Sequence, residues 1–345
     1  MSVVQEIILS ICIPTYRRGA YLARDVMGWL ASDRQDFEII ISDNASGDGS
    51  FEILNKIKDP RVRVIGNKIN IGGFENGFKT FLAARGKYAM ILMDKDTLTF
   101  EHIDDVLDTM GQLDVACGLI EPNTSQSSAY KTTKKENEIL FKYGLCYAHP
   151  SGHFYRTKYI KEGRILEQLR NLPENTRPFS TDFQISLFAR CGSYARLKIP
   201  FVKLISPPFP GTTKSVTYTN SPNAYFMPQA HFNVLYNYIN LLHQLKQNFL
   251  WRMLTIFRQA GLLFAFSTST YMYMLAQNNI CEWYGLSPEF RSAEMRRPLI
   301  FEYYLRIFGA KGLAFPDKFA LLFGGLCCLP FAIRFKYRTL RATAQ

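Results

Sequence analysis

The sequence predicts an α/β fold: a mainly parallel sheet flanked by helices, with a helical region at the C-terminal end. Three observations predict it. Short β-branched runs alternate with segments of helical spacing through the first third of the chain, the pattern of βαβ units. Three of those runs end abruptly in polar residues: Ile7–Ile13 in Pro14-Thr15-Tyr16-Arg17-Arg18, Phe37–Ser42 in Asp43-Asn44, and Lys87–Met93 in Asp94-Lys95-Asp96. Beyond Asn223 the strand patterns stop and aromatic, basic, helical segments take over.

Composition fits this plan. The chain has 345 residues, of which 47% are hydrophobic and 20% charged, enough for a buried core and for two domains. Its net charge of +12 is uneven. Residues 1–118 carry 13 basic and 17 acidic side chains, a net of −4, whereas 119–230 (15 and 7) and 231–345 (13 and 5) each carry +8. That bias suits an anionic partner, a phosphorylated substrate or an anionic membrane surface. No nucleic-acid motif accompanies the basic residues, so nucleic acid is not expected as a partner. Seven cysteines without a CxxC pair argue against a disulfide framework or a structural zinc site and for reduced thiols in the cytoplasm. The run Ile7–Ile13 lacks a basic flank and stops at Pro14, as a first strand does and a signal peptide does not.

In chain order, strand Ile7–Ile13 is followed by a helix from Ala20 to Ala31, with Leu22, Val26, Trp29 and Leu30 on one face. A second strand, Phe37–Ser42, precedes a helix from Phe51 to Lys58, stopped at Asp59-Pro60. Arg61–Ile65 alternates valine with basic residues, as an edge strand would. After a Gly/Asn-rich loop, a helix from Phe74 to Arg85 leads into the strand that ends at Asp94. Ligands of parallel α/β sheets sit at the carboxyl ends of the strands, so the three polar ends predict one pocket. An acid ending the second strand can accept from a base N–H or a ribose hydroxyl. Arg18 suits a phosphate or base carbonyl, and equally an ordinary surface. Taken alone, Asp94 and Asp96 are a solvated acidic turn or a pair that shares a divalent cation and, through it, a diphosphate. A G-x-G-x-x-G turn and a Walker A lysine are both absent, which excludes the usual dinucleotide and P-loop sites.

These residues carry a resemblance. Ile13-Pro14-Thr15-Tyr16-Arg17-Arg18 resembles the PTYNR opening of family 2 glycosyltransferases, and Ile39–Asp48 their IIVSDNASTD strand. Asn70-Ile71-Gly72-Gly73-Phe74-Glu75-Asn76, followed by Ala84–Tyr88, is similar to their NIGxxxN…AxGKY connection, and Leu92–Asp96 stands at their DxD. The resemblance implies the GT-A fold, which is Rossmann-like, and a nucleotide-sugar donor. It implies nucleotide contacts from Pro14, Thr15, Tyr16, Arg18, Asp43, Asn44, Asn70 and Asp94. It further implies a divalent cation (Mn²⁺ or Mg²⁺) at Asp94 and Asp96. Lys95 departs from the acid common at the middle position; it can point away, assist the diphosphate or weaken the metal.

Farther on, a helix is predicted from Thr97 to Met110, a strand at Val115–Ile120 and a polar loop over residues 121–138. Tyr147–Arg156 resembles the family's acceptor-side strand, which makes His153 an acceptor-side candidate. His149 and His153 also invite a metal reading, but no acid stands near them at ligand spacing. Ser180 or Thr181 can cap a helix running to Gly192. Asp182 in its first turn also has a plain explanation in the helix dipole. By resemblance to the family's EDxxLxxR helix it is the general base of an inverting transfer to a glycan or lipid-linked acceptor. That biological setting, bacterial surface-polysaccharide assembly, rests on the resemblance alone. The alternative is a non-catalytic nucleotide-binding scaffold, for which Lys95 speaks.

The expected domains are 1–205, catalytic, with a nucleotide-sugar half (1–118) and an acceptor half (119–205), then a linker at 206–230 and a basic helical region at 231–345. In that region Phe319–Ile333 and Gly261–Ala276 fall short of the roughly 20 apolar residues a spanning helix needs. Arg334, Lys336, Arg338 and Arg341 follow the last apolar run. An interfacial helix at the cytoplasmic face of the inner membrane and an ordinary packed helical domain both fit. Nothing in the sequence sets an oligomeric state.

Overall fold

The computed structural model describes residues 6–125, 128–145, 149–162, 164–173, 180–205, 228–283 and 285–343. The chain divides into two units. One comprises residues up to 139 with 148–171 and 184–212; the other comprises 140–147, 172–183 and the chain from 213 onward. Two segments inside the expected 1–205 domain therefore group with the helical unit.

The elements up to residue 205 run β1 (Leu9–Thr15), α1 (Gly19–Trp29), β2 (Phe37–Asp43), α2 (Ser50–Leu54), β3 (Val62–Gly66), α3 (Gly72–Ala83), β4 (Tyr88–Ile91) and β5 (Thr97–Leu98). After a short 3₁₀ turn come α4 (Ile103–Gln112), β6 (Cys117–Ile120), β7 (Ser128–Thr133), α5 (Glu136–Tyr143), β8 (His153–Arg156), α6 (Thr157–Lys161), α7 (Arg164–Arg170), α8 (Ser180–Phe188), β9 (Tyr194–Lys198) and β10 (Val202–Lys203). Eight strands form one sheet in the order β3-β2-β1-β4-β8-β6-β9-β7. The β3-β2-β1-β4 half is parallel. β8 then inserts antiparallel between β4 and β6.

β1 is central and buried on both faces, which is why it reads as a continuous apolar run. Leu9, Ile11 and Ile13 pack with Ile39 and Ile41 of β2, Met90 of β4, Leu22, Val26 and Trp29 of α1, and Val106, Leu107 and Met110 of α4. β3 lies at the sheet edge, as its valine–arginine alternation predicts.

Two expectations change. Thr97–Leu98 is not helical: it pairs antiparallel with Val202–Lys203, and the helix starts at Ile103, with Asp104 and Asp105 in its first turn. The polar stretch 121–138 is not a plain loop, because residues 128–133 add an edge strand to β9. Its polarity reflects an edge facing water on Tyr130, Lys131 and Thr132.

The helical unit contains α9 (Pro228–Gln244), α10 (Phe249–Ala276), α11 (Asn278–Trp283), α12 (Pro288–Arg296), α13 (Leu299–Gly309) and α14 (Phe315–Thr343). α10 and α14 meet backbone to backbone: a Cβ on Gly324 would lie 2.2 Å from the Phe257 carbonyl, and one on Gly261 would lie 2.9 Å from Cys328 Sγ. Asp317 of α14 is buried and ties three helices, at 2.7 Å from His243 Nε2 of α9 and 3.5 Å from Arg252 Nε of α10. α10 and α14 have 28 and 29 residues, longer than the apolar runs within them. Even so, no helix among the described residues is long and apolar enough to cross a membrane.

Candidate functional site

Parallel pairing brings the ends of β1, β2 and β4 to one sheet edge. Thr15 stands opposite Asp43, and Cys12 opposite Ile91. Asp94, just past β4, is the meeting point. Its Oδ2 accepts from Thr15 Oγ1 at 2.9 Å and from the Tyr16 backbone N–H at 3.3 Å, and its Oδ1 faces Arg18 Nη1 at 3.2 Å. Burial pushes the Asp94 carboxyl above the usual carboxylate range, while Arg18 and Thr15 pull it back. The ring of Tyr16 is 40% exposed, with the Arg17 guanidinium 5.0 Å from its centroid.

Asp43 serves the turn that follows β2. It accepts from the Ser46 N–H at 3.1 Å and from the Ser46 hydroxyl, and Ser46 Oγ accepts in turn from the Arg17 N–H at 2.8 Å. Arg17 and Ala45, one after each strand, hold positive φ angles of 58° and 56°, a conformation non-glycine residues adopt only where their surroundings enforce it. Pro14 lies opposite Ser42 in the parallel register. Asn44 Nδ2 donates to Asn70 Oδ1 at 3.0 Å, and Asn44 Oδ1 accepts from the Ile71 N–H and from Asn67. Asn76 carries the network to Ser42. Asn44 and Asn70 thus clamp the loop before α3 onto the end of β2.

Asp96 has a separate set of partners. It is 1% exposed. Its Oδ2 accepts from Ser151 Oγ at 2.6 Å, and its Oδ1 from the Ile205 N–H at 3.0 Å. Ser151 Oγ also accepts from the Met93 N–H at 2.9 Å, so one hydroxyl links the loop after β4 to the segment before β8. His149 Nδ1 lies 3.4 Å from Asp96 Oδ2 and accepts from the Ser151 N–H at 3.3 Å. Burial and the neighbouring Lys95 ammonium push the His149 imidazole down to about 3, and burial lowers Lys95 itself. Gly152 makes the approach possible: its φ is +95°, and a Cβ there would meet the Ile120 carbonyl at 2.4 Å.

Ser151 has no role in the sequence reading, and His149 enters it only through the metal reading that lacks a nearby acid. The one signal was their place beside Gly152 in the acceptor-side motif. His153, the expected acceptor-side residue, is fully buried within β8, with both ring nitrogens lacking a hydrogen-bond partner. The partly exposed imidazole of this stretch is His149. Asp182 lies in the first turn of α8, and its side chain falls outside the described residues.

The residues expected to hold a divalent cation are Asp94 and Asp96. Both oxygens of each expected ligand already accept hydrogen bonds or face a cation, those of Asp94 from Thr15, Tyr16 and Arg18 and those of Asp96 from Ser151 and the Ile205 N–H. Among the described residues no group of three or more His, Cys, Asp or Glu is placed to hold a metal.

Comparison with known proteins agrees with the fold. The chain is 28% identical to abequosyltransferase RfbV of Salmonella typhimurium over 141 residues, 36% of this chain and 42% of RfbV. It is 31% identical to glycosyltransferase GlyG of Streptococcus pneumoniae over 102 residues, 29% of this chain and 34% of GlyG. The chain thus spans less than half the length of these relatives. Among solved structures, mannosyltransferase PcManGT from Pyrobaculum calidifontis, in complex with GDP-Man and Mn²⁺, superposes with a TM-score of 0.51 at 12% identity, over 98% of this chain and 88% of that one. S. aureus TarS 1–349 superposes with a TM-score of 0.50 at 15% identity, over 94% and 92%. The model of the family described as Glycosyl transferase family 2 matches residues 10–173, a span that holds Asp43, Asp94, Asp96 and Ser151. Residues 10–173, just under half of the chain, are thus similar to glycosyl transferase family 2.

Proposed function

We propose that this chain transfers a sugar from a nucleoside-diphosphate donor to a hydroxyl of a glycan or lipid-linked acceptor, with inversion at the anomeric carbon. The observation that carries the reading is the convergence of Thr15, the Tyr16 N–H and Arg18 on Asp94, inside the span matched by the family. Tyr16 offers an exposed ring for a base to stack on. Asp43 and Asp94 are acceptors for base and ribose groups, and Arg18 is a cation beside them for phosphate. A divalent cation, when bound at Asp96, supplies charge neutralisation for the departing diphosphate; PcManGT, which shares the fold, was solved with Mn²⁺. Asp182 takes the proton from the acceptor hydroxyl as that oxygen attacks. General-base help of this kind contributes about 10²–10⁴-fold in rate.

The helical unit supports a membrane-facing role for lipid-linked acceptors. Phe315, Phe319, Phe323, Leu326 and Ile333 follow helical spacing down one stripe of α14, and all are exposed. α10 has no acidic residue, and the single acid of α14, Asp317, is buried. An apolar stripe free of acids suits an anionic bilayer surface. Co-sedimentation with vesicles containing phosphatidylglycerol, lost in Phe319→Ser/Phe323→Ser, is the expected result. Equal recovery with and without vesicles would remove the role.

The central test is a panel of nucleotide sugars with Mn²⁺, Mg²⁺ or EDTA, read by mass spectrometry for nucleoside-diphosphate release and glycosylated product. One donor is expected to turn over, and Asp182→Asn to lower transfer by at least 10²-fold while donor binding persists. Binding of nucleotide sugars without turnover of any would favour the non-catalytic scaffold.

A further inference from the structure

His149 is left without a part in the proposed transfer. We propose that its Nε2–H is a hydrogen-bond donor to the distal phosphate of the sugar donor's diphosphate; this rests on the proposed transferase function and adds a residue to it.

One hydrogen bond sets the tautomer. A backbone N–H can only donate, so Nδ1, which receives the Ser151 N–H at 3.3 Å, is an acceptor. An imidazolium carries a proton on each nitrogen and could not accept it. The ring is therefore neutral, with its single proton on Nε2. Among the described residues Nε2 has no hydrogen-bond partner, and it is not shut inside the protein as both nitrogens of His153 are.

Burial sets the direction. Ser151 and Asp96 are 0% and 1% exposed, and Nδ1 faces both, at 3.3 Å and 3.4 Å. Nε2, on the far side of the ring, is turned away from that buried pair, and the imidazole keeps 26% of its side-chain surface exposed. Ser151 is itself pinned, its hydroxyl donating to Asp96 at 2.6 Å and accepting from the Met93 N–H at 2.9 Å. The N–H is thus aimed before any ligand arrives.

Strand order points to the acceptor. β2, β1, β4 and β8 are successive neighbours in the sheet, and β8 starts at the end where β4 finishes because the two are antiparallel. Asp43 and Tyr16, at the ends of β2 and β1, are the groups for the nucleoside. Asp94 follows β4, and His149 stands one strand farther along, ahead of β8. A nucleotide laid along this edge carries its phosphates past β4, with the distal one nearest β8. The Lys95 ammonium acts on the His149 ring, so positive charge is at hand for an anion. When the bond from the anomeric carbon to the diphosphate oxygen breaks, its electron pair stays on that oxygen and the distal phosphate gains the charge. A fixed N–H stabilises that charge without giving up its proton.

The test compares nucleoside diphosphates with monophosphates on the full chain, by calorimetry at one fixed Mg²⁺ concentration. UDP, GDP and CDP are the probes, with UMP, GMP and CMP as controls. Wild type is expected to prefer the diphosphate of at least one base. His149→Phe keeps a ring and loses the N–H. It should weaken that diphosphate about tenfold, leave the monophosphate unchanged and lower kcat about 10²-fold. His149→Gln, which carries an N–H at similar reach, should recover most of the difference. Nitrogen-15 NMR of wild type needs no variant to fold: it should show the Nε2–H tautomer, with a proton resonance that moves on adding the diphosphate and not the monophosphate. Full diphosphate preference in His149→Phe, an Nδ1–H tautomer or a resonance that ignores the diphosphate would each overturn the proposal and leave the transferase reading standing. A wild type that binds none of the six nucleotides would end both.

Discussion

Arg18 Nη1 and Asp94 Oδ1 lie 3.2 Å apart with their side chains 11% and 12% exposed, a largely buried ion pair linking the turn after β1 to the end of β4. Removing one partner of such a pair strands the other charge, a loss of about 3–5 kcal/mol. Arg18→Met is therefore expected to lower the melting temperature sharply and to weaken nucleotide binding. The double variant Arg18→Met/Asp94→Asn should recover much of the stability and none of the binding. Calorimetry and nucleotide titration on the four proteins of that cycle provide the check, and additive stability losses would mean that the two residues do not interact.

Ser151→Ala removes the hydroxyl that accepts from the Met93 N–H and donates to Asp96. A buried donor left unmade costs about 1–3 kcal/mol. Chemical denaturation should register that loss. The Michaelis constant for the donor should rise more than kcat falls, because Asp96 loses its orientation and keeps its charge.

His153 supplies a pH signature. Burial pushes its imidazole from an ordinary 6.5 down to about 3, so between those values the unfolded chain takes up a proton that the folded one refuses. Stability is then full above about pH 6.5 and declines as the pH falls toward 3. The raised carboxyls of Asp94 and Asp96 act in the opposite direction, so the comparison is made against wild type at matched pH. His153→Leu should show a smaller fall in melting temperature between pH 7 and pH 5 than wild type. It should be at least as stable at pH 7.5, since two unpartnered buried nitrogens are gone. Parallel curves for the two proteins would contradict this.

Two glycines should respond in opposite directions to alanine. A Cβ on Gly118 of β6 would lie 2.3 Å from both the Ala195 carbonyl and Phe154 Cζ, so Gly118→Ala is expected to cost roughly 3 kcal/mol. Gly28 in α1 has nothing within 4 Å of that position, and Gly28→Ala should stabilise by about 0.5–1 kcal/mol through backbone entropy alone. Thermal melts of the two variants decide it.

The convergence of three strand ends was legible in the sequence. The apolar runs at Leu9, Phe37 and Tyr88 announce buried strands, and Pro14, Asp43 and Asp94 announce their ends. A parallel sheet allows those ends only one common edge. Among the missed elements, β5 and β7 are short and polar, and what makes them strands is the partner that each finds in β10 and β9.

The contacts around Asp96 are where the sequence stops. It shows His149 with no acid at ligand spacing, because Asp96 lies far upstream along the chain. Local pattern fixes strand period and strand end; it does not say which strand inserts beside which. The tertiary structure decides that by pairing β8 antiparallel to β4, with the Gly152 N–H donating to the Ile91 carbonyl at 3.0 Å. An antiparallel neighbour brings the residues before one strand to the residues after the other. That is the physical reason His149 and Ser151 reach Asp96.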